Sequence, residues 1–264
     1  MPSLKPKEDR HFVTALSRGL SVLQAFRSGE ERLSNQELAV RCELPKSTIT
    51  RLTYTLTRLG FLHYHDESGR YRLGLATLTI GGTTLSRMQL REAARPILQD
   101  LANRTQTMTA LAMRDELSML YIETCRSESS IVTLRLEIGS RLPIGTTAVG
   151  RGCLAAETPE NRKVLLERLR SADLSSWPQV ERSVEQAIAD LSAIGCVTSF
   201  GAWRGEINAI ATPLSLGKGL PLIVANSAAP ARTISETAFR TDVRPRLIAA
   251  ARAIEERYFS RSSP

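Results

Sequence analysis

A chain of 264 residues is long for one domain and comfortable for two, and its 42% hydrophobic and 23% charged residues are those of an ordinary soluble globular protein. No run approaches the ~20 apolar residues that cross a bilayer, and the charged stretch Met1–Arg10 is not followed by an apolar core with a cleavage site, so a cytoplasmic protein is expected. The net charge of +8 promotes binding to polyanions without saying which one.

The first predicted element is a helix over Phe12–Phe26, where Leu16, Leu20, Leu23 and Phe26 recur at the spacing of one apolar stripe. Gly29 and the charged Glu30-Glu31-Arg32 break it. Ser34 opens a second, short helix: its hydroxyl suits an N-cap, and Glu37, three residues on, completes a capping box. Leu38 and Ala39 face inward, the helix ends near Arg41-Cys42, and Glu43-Leu44-Pro45 forms a turn with proline suited to the start of the next helix. That third helix spans Lys46–Leu59, with Ile49, Leu52, Leu56 and Leu59 inside and Lys46, Ser47, Thr48, Thr50, Arg51, Tyr54 and Arg58 outside. Gly60 stops it. Phe61–His65 and Arg70–Leu73 follow as a strand pair across the turn Asp66-Glu67-Ser68-Gly69.

Helix, capped helix, proline turn, third helix and hairpin, in that order, predict a winged helix-turn-helix over residues 10–74. The third helix keeps small hydroxyls and cations outside, where they can approach base edges and phosphates. Arg51 has the fork geometry to pair with guanine. The helix N-terminus at Ser34 can receive a backbone phosphate, and Arg70 and Arg72 extend the cationic surface onto the wing. From Leu44 to Leu73 there are five cations, Lys46, Arg51, Arg58, Arg70 and Arg72, against Asp66 and Glu67. A polar, basic face is also what any solvated helix shows, and winged helices serve as protein-contact modules. The concurrence of cap, turn, helix and basic wing favours double-stranded DNA.

Leu75–Met88 keeps helical spacing through Leu75, Leu78 and Leu85, while Gly81-Gly82 weakens its middle by roughly 1 kcal/mol each relative to alanine. Residues 75–90 therefore fit a dimerising, signal-passing linker helix, or a merely packed connector. Residues 91–264 read as a second domain. A helix over Glu92–Thr105 turns Ala94, Ile97, Leu98, Leu101 and Ala102 inward and tolerates Pro96 in its first turn. Strands follow at Met108–Arg114, Ser118–Thr124 and Ile131–Leu136, helices at Thr158–Ser171 and Glu181–Ile194, strands at Ala209–Leu214 and Leu220–Asn226, and a last helix at Ser235–Phe259. This mixture predicts an α+β domain on a mainly antiparallel sheet.

Catalytic motifs are absent: there is no nucleophile elbow, phosphate loop, dinucleotide fingerprint or paired metal motif. Cys153 lies between glycines, but no histidine follows residue 65 to serve as its base. Cys42, Cys125, Cys153 and Cys196 form no close pair, so buried free thiols are expected rather than a disulfide or zinc site. His63 and His65 lack a carboxylate or thiol partner for a metal. Neither an enzyme, a metal site nor a cofactor is expected. The stretch Gly139–Gly150, dense in glycine, small side chains and hydroxyls, can point backbone N–H groups at an anion where it runs into the helix near Gly150–Leu154. It fits a tight structural turn equally well.

The run Ala15–Leu23, then Leu38-Ala39, Leu44–Thr48, Arg51-Leu52, Leu59–Phe61 and Tyr71–Gly74, resembles the IclR family of bacterial regulators. Arg141–Pro143, Thr147-Ala148, Gly150, Leu154-Ala155 and Ile207–Pro213 are similar to that family's effector-domain pattern, so the likeness covers nearly the whole chain in order. It implies a dimeric or tetrameric regulator with a GAF-like C-terminal domain that binds a small organic acid. By position it implies an effector pocket lined by Leu134, Leu142, Ala148, Val149, Ser199, Ala209, Asn226 and Ser227, with the glycine-rich loop donating to the ligand carboxylate. Where many members carry acidic residues, this chain has Ser199–Glu206, including Phe200, Trp203 and Arg204. That variant resembles a branch of the family that includes regulators of aromatic-acid catabolism, which implies an anionic carboxylate as the effector, with aromatic acids among the candidates. The competing reading is an enzyme or small-molecule-binding protein whose N-terminal domain only mediates assembly.

Overall fold

The computed structural model describes residues 11–27, 30–127, 136–217 and 221–262. The chain divides between Arg87 and Met88 into two units.

In the first unit, α1 (Thr14–Gln24), α2 (Asn35–Cys42) and α3 (Lys46–Arg58) enclose Val22, Leu38, Ile49 and Leu56. The apolar stripe of α1 divides. Leu23 and Phe26 pack on this core, but residues 11–18 are all exposed, so Leu16 and Leu20 project beyond it. Leu59 is also exposed rather than inside, because α3 ends at Arg58 and Leu59 is its C-cap. Glu43, in the left-handed conformation at φ 54°, turns the chain out of α2. The wing, β2 (Leu62–His65) and β3 (Arg70–Leu73), gains a third strand that the sequence did not announce, β1 (Leu33–Ser34), giving the order β1-β3-β2. Gly74 then leads into α4 (Leu75–Ser86) so close to α3's end that a Cβ there would lie 2.2 Å from the Gly60 carbonyl oxygen. No residue of α4 is buried within the chain, and Leu75, Leu78 and Ile80 face solvent.

The second unit is built on a six-stranded antiparallel sheet of order β6-β5-β4-β9-β8-β7. Its strands are β4 (Met108–Asp115), β5 (Ser118–Cys125), β6 (Arg141–Pro143), β7 (Val197–Phe200), β8 (Ile207–Leu214) and β9 (Ile223–Pro230). The short β6 and β7 lie where no strand was expected; of the expected strand at Ile131–Leu136, residues 131–135 lie outside the described residues. One sheet face packs on α5 (Gln89–Thr105) and α10 (Arg244–Ser262) through Leu98, Leu101, Leu111, Ile210, Leu247 and Ile254. The other face packs on α6 (Ala148–Ala156) and α8 (Trp177–Ile194), with α7 (Pro159–Ala172) beyond, through Tyr121, Val149, Leu154, Leu165, Val184 and Val224.

Three details depart from expectation. Because α5 starts at Gln89, Pro96 lies inside the helix rather than in its first turn, where its ring removes one hydrogen bond. The last helix is broken: after α9 (Glu236–Ala238), a π-turn at Phe239–Val243 inserts an extra residue, so that both Phe239 and Val243 point inward before α10 begins. In β5, Ile122 is an extra residue between the Leu111–Glu123 and Ala112–Tyr121 pairs. This bulge turns Glu123 toward α5, where Arg91 and Arg95 each reach its carboxylate at 3.0 Å. All four cysteines are free thiols; Cys125, Cys153 and Cys196 are buried, and burial pushes the Cys153 thiol up to about 12. None of the described helices is long and apolar enough to cross a membrane.

The expected capping box forms. Ser34 Oγ accepts from the Glu37 N–H at 3.3 Å, and the Glu37 carboxylate accepts from the Ser34 N–H at 2.8 Å. Hydrogen bonds from Ser34, with help from the Arg70 charge, hold the Glu37 carboxyl below its ordinary value of 4.5. A depressed carboxylate stabilises the fold fully above its unfolded pKa, and loses that contribution as pH falls through its native one. Ser34→Ala is expected to cost the first unit about 1 kcal/mol in urea unfolding at neutral pH, and the gap from wild type should narrow as the pH is taken below 4.5.

Candidate functional site

The solvent side of α3 presents Lys46, Ser47, Arg51 and Tyr54 exposed, with Arg58 one turn further on; Thr48 is half-buried. Three other expected contact residues have structural work within the unit. Thr50 Oγ1 accepts from Asn35 Nδ2 at 2.7 Å and donates to the Lys46 carbonyl at 2.9 Å, tying α2 to α3. Arg70 lies 3.2 Å from the Glu37 carboxylate, and its guanidinium donates to the Arg32 carbonyl at 3.3 Å. Ser34 is engaged by Glu37 through both its N–H and its hydroxyl. The N-terminus of α2 therefore already holds the protein's own carboxylate. Arg72, two residues along the wing from Arg70, is exposed.

In the second unit, a narrow cavity of about 350 Å³, counting its open mouth, lies between the sheet and the start of α6. Leu142, Ala148, Val149, Ser199, Ala209 and Asn226 line it. Ser227 does not. Along β9 alternate residues face opposite sides, so Asn226 and Ala228 reach the cavity while Ser227, fully buried, faces away from it. Leu134 lies outside the described residues. Tyr121, Thr147 and Trp203 complete the lining where it matters chemically.

The polar groups are concentrated at the start of α6. Thr147 Oγ1 caps the helix by accepting from the Gly150 N–H at 3.1 Å, and itself donates to the Pro143 carbonyl at 2.8 Å. The first-turn N–H groups of Ala148 and Val149, both in the lining, have no acceptor within the helix. Gly150 lets the loop fold back on α6: a Cβ there would lie 2.2 Å from the Ile144 carbonyl oxygen. One residue later Arg151, only 7% exposed, donates through Nη2 to the Thr146 carbonyl at 3.0 Å and to Ser199 Oγ at 2.6 Å. Burial pushes its guanidinium below the ordinary value, and the charge of Asp190 offsets this only in part. On the sheet side, Asn226 Nδ2 donates to Tyr121 Oη at 3.1 Å, while Asn226 Oδ1 is buried without a partner among the described residues. Burial raises the Tyr121 phenol, so it stays protonated.

The segment expected to distinguish this chain divides in two. Phe200 turns away from the cavity and packs against Phe239, with Arg240 over its ring. After Gly201, at φ +64°, the loop brings Trp203 into the lining with the Arg204 guanidinium stacked 4.5 Å from its ring centre. Arg151 escaped notice as a site residue, although a signal was present. It is the sole charge in Ala148–Ala156, a helix whose first eight residues are all buried.

Residues 15–66 match the model of the IclR helix-turn-helix domain, and residues 82–256 match that of the bacterial transcriptional regulator IclR C-terminal domain. The Pca regulon regulatory protein of Pseudomonas putida is 29% identical, over 95% of this chain and 86% of its own. A solved IclR family transcriptional regulator from Brucella abortus is 38% identical with a TM-score of 0.81, covering 95% of this chain and 94% of that one. An IclR homolog from Microbacterium hydrocarbonoxydans, crystallised with 4-hydroxybenzoate, shares the fold at 22% identity with a TM-score of 0.72, over 94% of this chain and all of that one.

Gly150→Ala should push the loop off α6 and destabilise the second unit by about 1–3 kcal/mol, the usual range for overpacking. Thermal unfolding measures this directly, and an unchanged midpoint would mean that the loop is not held by that contact.

Proposed function

The chain belongs to the IclR family of bacterial transcriptional regulators, with a helix-turn-helix DNA-binding domain and a C-terminal effector domain, and we propose that it is a cytoplasmic, sequence-specific regulator whose effector is a small aromatic carboxylate. The observation that carries the effector class is the cavity's one-sided polarity. Donors gather at Ala148, Val149 and Ser199, while the rings of Tyr121 and Trp203 furnish aromatic walls. The space free for ligand atoms is only about 20 Å³ as the cavity stands, roughly what one water needs, so a ring bearing a carboxylate enters as the Trp203 loop and the walls give way. Leu142 and Ala209 supply apolar contact, and Asn226 offers an acceptor at the far side.

In this reading residues 10–74 bind operator DNA, residues 75–90 connect, and residues 91–264 bind the effector. Lys46, Ser47, Arg51 and Tyr54 meet the DNA from α3, with Thr48 beside them and Arg72 on the wing. Ser34, Thr50 and Arg70 hold α2, α3 and the wing in register. Two copies of the chain pair, so that two α3 helices read half-sites about 34 Å apart. The exposed Leu16 and Leu20 of α1 and Leu75, Leu78 and Ile80 of α4 supply the apolar surface such pairing needs. Sedimentation should give a dimer or a dimer of dimers, and a monomer at micromolar concentration would count against the pairing.

The test is fluorescence anisotropy on the intergenic DNA beside the protein's own gene, across a salt series with competitor DNA. Arg51→Ala and Lys46→Ala should each weaken binding, and each lost phosphate contact should flatten the salt slope by about one unit. Ligand binding by the same variants should be unchanged. Unaltered DNA affinity would instead favour an N-terminal unit that only mediates assembly. A thermal-shift panel led by 4-hydroxybenzoate and benzoate tests the effector class, and a flat response to every aromatic acid would retire it.

A further inference from the structure

Arg151 is 7% exposed, yet no carboxylate lies within ion-pair distance of it among the described residues, and Asp190 acts on it only from further off. Glu123, the buried carboxylate of the same unit, has two arginines. A buried charge without a counter-ion costs stability, so such groups persist where something completes the pair. The Arg151 Nε is buried without a hydrogen-bond partner, and Nη2 spends its donors on the Thr146 carbonyl and Ser199 Oγ. Side chains on a helix lean toward its N-terminus, which sets this cation beside the first turn of α6, where the helix dipole is also positive.

Ser199 lines the cavity directly in front of it. Because Ser199 Oγ accepts from Arg151 at 2.6 Å, its own proton remains to be donated. The acceptor it has in the chain is the Thr146 carbonyl, at a long 3.4 Å and already engaged by Arg151. A carboxylate in the cavity is a better acceptor for that proton, since hydrogen bonds to charged oxygens are shorter and stronger. The opposite wall, Asn226 and Tyr121, is neutral.

We propose that Arg151 is the counter-charge of the effector carboxylate, acting from behind the cavity wall through the Ser199 hydroxyl, so that the site selects acids over their neutral isosteres. This rests on the cavity being the effector site. Arg151 is thus a positioning residue, and in the ligand-free protein its charge is met only in part, by the more distant Asp190, until the effector completes the pair.

Two measurements on the full-length protein decide it. Calorimetric titration with benzoate and with benzamide, its neutral isostere, should show wild type preferring the acid. Arg151→Gln and Ser199→Ala should each reduce that preference, Arg151→Gln by about tenfold or more, and Arg151→Lys should recover part of it. Loss of both ligands in equal measure, or an unchanged acid-to-amide ratio, would overturn the proposal. The second measurement needs no ligand: Arg151→Met should leave the thermal midpoint of the ligand-free protein unchanged or higher, because it removes a buried charge that Asp190 compensates only in part. A midpoint lowered by several degrees would make Arg151 a structural strut and overturn the proposal. Wild type binding neither probe would instead defeat the aromatic-acid reading, with the ligand-free comparison still deciding the role of Arg151.

Discussion

The contact between the Gly150 backbone and the Ile144 carbonyl is closer than any side chain allows, and the cavity is organised around it. Ile144 is fully buried against the core of the α6–α8 face, so the loop before α6 has a fixed anchor. With the loop folded back on the helix, Thr147 can cap α6 and also reach the Pro143 carbonyl. The same fold-back puts the Thr146 carbonyl where the Arg151 guanidinium finds it. The first-turn amides, the cap and the cation share one small region because a single glycine permits the approach.

A comparable device operates in the first unit. Gly74 approaches the Gly60 carbonyl as closely as Gly150 approaches Ile144, joining the wing's end to the end of α3. The capping box adds a second tie, because Glu37 holds the start of α2 and also Arg70 on β3. Thr50 and Asn35 add a third between α2 and α3. These ties join α2, α3 and the wing, and leave Lys46 and Arg51 of α3 outside the internal accounting. Polar residues that look alike in sequence thereby separate into those that hold the domain and those left to face a partner.

Local signals were the legible ones. The capping box, the glycine after α3 and the alternating strands all rest on neighbours within a few residues, and the corresponding elements are present. What could not be read depends on distant partners. Leu16 and Leu20 have the right spacing for a core, but spacing does not reveal that the core begins only at Val22. The three-residue strand β6 exists because β5 is there to pair with it, and the two-residue β1 because of β3. In the cavity, family likeness pointed to residues on strands and loop but took in Ser227 beside Asn226, although adjacent strand residues face opposite sides. The roles of Phe200 and Trp203, three residues apart, are set by the Gly201 turn that sends one to each side of the sheet. Arg151 was hidden by its neighbours, since a lone arginine among glycines gives no hint of what it faces across 48 residues at Ser199.

The three buried thiols have a consequence of their own. Cys125 lies on β5 facing the α5 layer, Cys153 on α6 facing the opposite layer, and Cys196 at the turn from α8 into β7. Burial raises all three well above neutrality, so an alkylating reagent meets almost no thiolate while the layers stay shut. The effector domain therefore carries three built-in reporters, one in each of its two layer junctions and one at the turn from α8 into β7. Their labelling rates record which side of the sheet opens first, and a molecule that settles in the cavity would be seen as a slowing of the Cys153 clock relative to that of Cys125.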